Sequence, residues 1–287
     1  MSEADEVVRP FPSAKAAINA FGLVTQRPSA FLRAAGGWVA IQIVTWLGSF
    51  FSLIALLQSD EALALRFAAL PPSAQDWTLA AFPALVTFVA AGAIAVTWHR
   101  FVILGEEPGG VLPFHGAQTA RYLGRVLLLF GIVFVFIVLF VPLLLMVAGP
   151  LARHPALSGV LQLVPLGIAI LTMFVLLRTG LAFPAAAVDD RNWSLERSWH
   201  QTEGNGWRLF GGMLLVSLPF YALNLALSLI GETAAMQQDV TMLHLATCMS
   251  YVVTAVGVAV AAGYYSSAFV FFVTPAAKDR PPASHFS

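Results

Sequence analysis

Charge is what this chain has least of. Only 10% of its 287 residues are Asp, Glu, Lys or Arg, against 59% apolar, and mean hydropathy is +0.80. Soluble domains are roughly a quarter charged, so the polar skin such a protein needs is missing and lipid must solvate its surface. Net charge is zero, which leaves no whole-molecule field for nucleic acid or an acidic substrate. The single cysteine, Cys248, excludes an internal disulfide and a thiolate metal cage. His99, His115, His154, His200, His244 and His285 are scattered with no i, i+4 pair, so the helical zinc pattern is absent. No phosphate-cradling GxxxxGK[ST] or GxGxxG motif occurs, and no Gly-x-Ser-x-Gly elbow. No cofactor, metal site or catalytic residue is therefore expected.

What the chain does have is length of apolar sequence. A span needs about 20 apolar residues to cross roughly 30 Å of hydrocarbon. Six stretches qualify: 37–57, 77–104, 126–148, 157–188, 209–230 and 243–273. The first is too long for a cleaved signal and lacks a small-residue cleavage site, so it reads as a retained anchor. Of the 15 Lys and Arg, 13 lie in or beside alternate gaps and the ends on one side; the others, Arg66 and Arg153, face the opposite side. Cytoplasmic loops collect Lys and Arg, which predicts both termini inside. Residues 1–12 and 275–287 read as disordered ends around one membrane domain, 13–274.

The spans themselves are chemically quiet. Their central 20 residues hold no Asp, Glu or Lys, and such residues are what usually mark proton relays and ion pathways. Asn224, Gln42 and Gln162 read as interhelical glue. Small residues fill the second span (Ala90, Ala91, Gly92, Ala93, Ala95) and the sixth (Gly257, Ala259, Ala261, Ala262, Gly263), which predicts a central position. The third, with Phe130, Phe134, Phe136 and Phe140, is expected to face lipid. Pro83, Pro142, Pro165 and Pro219 fall within spans two to five, each permitting a kink.

A threefold plan is visible. Arg33, Arg125 and Arg208 precede the odd spans at intervals of 92 and 83 residues, and each even span runs past an anchor. At about 1.5 Å per residue, Trp98 to Arg100, Arg178 and Tyr264 lie roughly 32–35 Å from the outer face. Trp98, Trp193, Trp199, Trp207 and Tyr264 read as interface anchors. The apolar tails beyond the anchors need cover. Segments 15–25, 118–125 and 193–203 supply it as short interfacial helices. The first carries Ile18, Phe21 and Val24 on one face; the third is capped by Asn192 and stopped by Gly204. The fold class expected is all-α polytopic: six transmembrane helices in three hairpin units, each preceded by an interfacial helix. Arg100, Arg178, Arg197 and Arg208 are candidate contacts to a phosphate or lipid headgroup, because a guanidinium offers phosphate a bidentate fork. Individual snorkelling to lipid is the plainer alternative.

Residues 178–212, RTGLAFPAAAVDDRNWSLERSWHQTEGNGWRLFGG, join a Pro-Ala run, an acidic turn, a Ser/Trp helix and a Gly-Asn-Gly-Trp link. This segment resembles a group of bacterial six-span inner-membrane proteins and the membrane region fused to some glycerophosphodiester phosphodiesterases. The resemblance implies an inner-membrane location and a connection to lipid, and it carries no catalytic residue. The chain is thus expected to be a non-enzymatic inner-membrane protein that organises or supports other membrane components through its cytoplasmic face. Its partners would be the bilayer with a membrane-protein partner or lipid ligand. The rival is a small-molecule or lipid transporter, with a mid-membrane cavity lined by Gln42, Asn224 and Thr254.

Overall fold

A computed structural model describes residues 9–60, 65, 72–151 and 164–273. Among these the regular structure is entirely helical: α1 (Ser13–Gln26), α2 (Pro28–Ser59), α3 (Pro72–Leu104), α4 (Gly116–Leu151), α5 (Val164–Thr179), α6 (Ala182–Ala187), α7 (Leu195–Gln201), α8 (Gly206–Met236) and α9 (Val240–Val273). Five helices (α2, α3, α4, α8 and α9) are long and apolar enough to cross a membrane, the build of a multi-pass membrane protein. The fourth apolar stretch departs from the expected single span. Its helix α5 ends at Thr179, the chain turns through Gly180 and Leu181, and the short α6 follows. Residues 157–163, Arg66 and Arg153 lie outside the described residues, as do residues 1–8 and 274–287 of the two ends.

α9 is the hub. It packs against α8, α1, α3, α2 and α6. Small side chains make this possible, because close backbone approach is a main source of helix association in lipid. Ala20 of α1 lies against Gly263, and Phe220 of α8 sits over Gly257. Half of the apolar window of α3 is buried, against 6% in α2, α4 and α8. α4 touches α3 and α6 but leaves Phe130 and Phe134 exposed, as a run of bulky aromatic and aliphatic side chains favours. The prolines are absorbed: Pro83 lies inside α3, Pro219 inside α8, and α4 runs on through Pro142.

Two of the three segments expected as short interfacial helices form separate helices. α1 forms, but its buried face is Ala16, Ala17, Ala20 and Val24, and Ile18 points outward, 71% exposed. Alanine wins because the groove along α9 admits only a short side chain; Phe21 at the groove edge stacks on Phe220 at 5.7 Å. Residues 118–125 are not separate: they form the first turns of α4, which runs unbroken through Gly124 into the span, since a lone glycine lowers helix propensity without ending a long helix. α7 forms with Ser194, not Asn192, as its cap, the Ser194 hydroxyl accepting from the Arg197 amide at 3.0 Å. Gly204 holds φ 70° in the turn that follows. Phe11, expected in a disordered end, is buried among Tyr264, Phe271 and Phe272.

Candidate functional site

The densest packing sits at the end of the bundle that carries the arginines. Trp98, Trp193 and Tyr264, read above as interface anchors, are 0%, 2% and 0% exposed. Buried side chains reach no lipid headgroup, so the anchor reading gives way for these three. They fill space that glycine and alanine vacate. The Tyr264 ring passes directly over Gly212 and donates from its hydroxyl to the Leu209 carbonyl at 3.0 Å; Tyr265 covers Gly180 in the same way. Trp193 meets Phe269 edge-on at 5.0 Å, and Trp98 meets Phe31 at 6.2 Å. Trp207, by contrast, is 67% exposed beside Phe174 and Phe210, the disposition an anchor needs. Trp199 is half-buried beneath the Arg178 guanidinium at 3.8 Å.

Segment 178–212 is a structural knot. Arg178 donates to the Trp199 carbonyl at 2.6 Å and to the Thr202 hydroxyl at 3.2 Å. The Ser198 hydroxyl donates to the Arg178 carbonyl at 2.7 Å. These bonds close the polypeptide on itself and tie α7 to the end of α5. Asn205 then ties the knot to the start of the chain: its Oδ1 accepts from the Phe11 amide at 2.7 Å, and its Nδ2 donates to the Arg9 carbonyl at 3.1 Å. Gly206 lies where any side chain would meet Phe174 and Arg178.

The remaining arginines divide between internal and exposed roles. Arg125 donates to the Ala182 and Trp193 carbonyls, fastening α4 to α6 and to the strand of chain before α7. Arg197 lies over the Trp193 ring at 4.6 Å, and Arg208 is exposed. Arg100 grips Glu106 with both prongs at 2.6 and 2.7 Å and reaches the Ala187 carbonyl at 3.0 Å. Arg100 and Arg178, two of the candidate headgroup contacts, thus take separate sets of partners.

Between α3 and α4 the loop 105–115 folds back against α2. Arg33 pairs with Glu107 at 2.6 Å and the Trp38 indole donates to the Pro113 carbonyl at 3.2 Å. A cleft of about 300 Å³ lies under this loop, lined by Thr97, Arg100, Glu106, Leu112 and His115 among others. Burial and the Arg100 charge hold the His115 imidazole below its ordinary pKa, with Glu106 partly opposing.

Mid-bundle polar groups are answered locally. Gln42 donates to the Trp38 carbonyl, and Asn224 donates to the Phe220 carbonyl while accepting from Ser250 at 2.6 Å. Gln42, Asn224 and Thr254 line no common cavity among the described residues. The same residues hold no cluster of three His, Cys, Asp or Glu fit for a metal ion. Sequence reasoning missed Asn205, Ser198 and Thr202, all of which are buried. The one available signal was polar residues crowded between two apolar helices, where a buried backbone needs partners. No protein family, curated protein or solved structure matches this chain.

Proposed function

We propose that the protein is a non-enzymatic six-span inner-membrane protein, both ends cytoplasmic, that organises or supports other membrane components through its arginine-bearing face. The observation that carries this reading is where the packing is concentrated. The tight core of Trp98, Trp193, Tyr264 and Tyr265 lies at that face, while α2, α4 and α8 keep most of their apolar surface free. A protein that moves cargo invests its polar groups in a path along the bundle. Here Gln42 and Asn224 are spent on neighbouring carbonyls and Ser250, and the fixed polar architecture stands at one end. Such a platform suits presentation of a rigid surface to a partner, with Trp207, Arg197 and Arg208 on its outside.

The experiment is native mass spectrometry of the full chain extracted in native nanodiscs. A stoichiometric protein partner, lost in Trp207→Ala while the thermal transition is retained, supports the organising role. Recovery of the full chain with no stoichiometric protein partner overturns it, whether or not a lipid or phosphate is retained.

A further inference from the structure

The cleft beneath loop 105–115 holds groups that the packing alone does not explain. Thr97 is 2% exposed, lines the cleft, and has a hydroxyl buried with no partner. A buried hydroxyl left unpaired costs free energy that a ligand recovers. Arg100 opens onto the same space, and its fork is filled by the two oxygens of one carboxylate, Glu106. That is the geometry with which a guanidinium binds phosphate. Glu106 is itself exposed, and it lies in the loop between two left-handed glycines, Gly105 at φ 71° and Gly110 at φ 75°. Only the Glu106 end of the pair is exposed, at 43% against 15% for Arg100, so another anion reaches the fork from the solvent side and replaces one charge-assisted pair with its equivalent. α4 starts at Gly116 directly after His115, which turns the positive end of a long helix toward the same locality. At the rim, Val111, Leu112 and Phe114 are exposed.

We propose that this cleft is a phosphate-binding site, with Arg100, His115 and Thr97 as its contacts and the Glu106 carboxylate as an internal occupant that the phosphate displaces. The site is independent of the partner-organising reading, since it is read out by ligand binding and not by partner capture. A free phosphate and a phospholipid headgroup present the same group, and the experiment separates them. The full chain is placed in phosphatidylcholine nanodiscs and titrated with inorganic phosphate, followed by thermal unfolding and phosphorus NMR. In parallel, phosphatidic acid is mixed into the nanodiscs and the lipids retained are counted by native mass spectrometry.

Saturable binding is expected in one arm, and that arm names the source. Glu106→Gln, which weakens the internal competitor, is expected to tighten binding about tenfold, and Arg100→Lys, which keeps the charge but loses the fork, to weaken it about tenfold. Thr97→Val preserves shape and removes the hydroxyl, so weakened binding with an unchanged ligand-free melting temperature supports the site even where the Arg100 variant folds poorly. Absence of saturable binding in both arms overturns the proposal, as does equal affinity of the wild type and Glu106→Gln.

Discussion

Asn205 joins two stretches of chain 196 residues apart, holding the backbone of Arg9 and Phe11 against the start of α8. Leaving a buried amide without its acceptor costs about 1–3 kcal/mol. Asn205→Ala is therefore expected to lower the melting temperature in detergent and to speed proteolysis before residue 13, whereas the exposed Asn192 tolerates the same change. Gly212 tests packing at the same scale. A methyl group there meets the Tyr264 hydroxyl and ring, and Gly212→Ala is expected to destabilise by about 1–3 kcal/mol, since overpacking forces ring or backbone to move. A pH effect belongs to His115. Its folded pKa is held below the ordinary 6.5 by burial and Arg100, so the unfolded chain binds more protons in that window. Stability contributed by the neutral ring is then lost as pH falls below about 6.5 and is fully present above it. Melting curves between about pH 5 and pH 7 are expected to flatten in His115→Gln.

At the scale of elements, α1 shows how a sequence period is overruled by the surface it meets. Ile18, Phe21 and Val24 recur at helical spacing, yet Ala16, Ala17 and Ala20 face α9 because the groove at Gly263 has room for a methyl and no more. Ala20→Leu is expected to lift α1 from α9 and raise hydrogen exchange across Ser13–Gln26, while Ile18→Ala leaves exchange unchanged. α7 is seven residues long and cannot stand alone. Its cap and its bonds to Arg178 hold it. Loss of the Ser194 hydroxyl is expected to cost about 1 kcal/mol, read as faster exchange in α7 ahead of the rest. The break at Gly180 has a packing cause as well: Tyr265 occupies the space beside it, and the chain turns into α6 where a continuous span was expected.

For the whole molecule, the basic loops argue one orientation. Single-cysteine labelling with an impermeant reagent in intact cells, in a Cys248→Ala background, is expected to spare positions 107 and 192 and to mark 239. The reverse pattern inverts the orientation, and labelling at all three positions refutes alternate gaps on opposite sides. The membrane class was legible from composition, because apolar length and scarce charge are properties of the chain that no fold alters. The hub position of α9 was legible too, since runs of Gly and Ala permit only close neighbours. Aromatic roles were not. Trp98, Trp193 and Tyr264 look like interface residues by depth, and their burial depends on residues distant along the chain: Gly212 lies 52 residues from Tyr264, and Gly263 lies 165 from Trp98. Nor was the fate of the arginines, since one guanidinium serves a headgroup or a carbonyl equally well. Sequence by itself determined how much of this protein meets lipid and where its positive charge gathers, because hydropathy and charge add residue by residue. Which tryptophans and arginines became interior was decided by the tertiary structure alone, because burial and partner choice belong to pairs of distant residues.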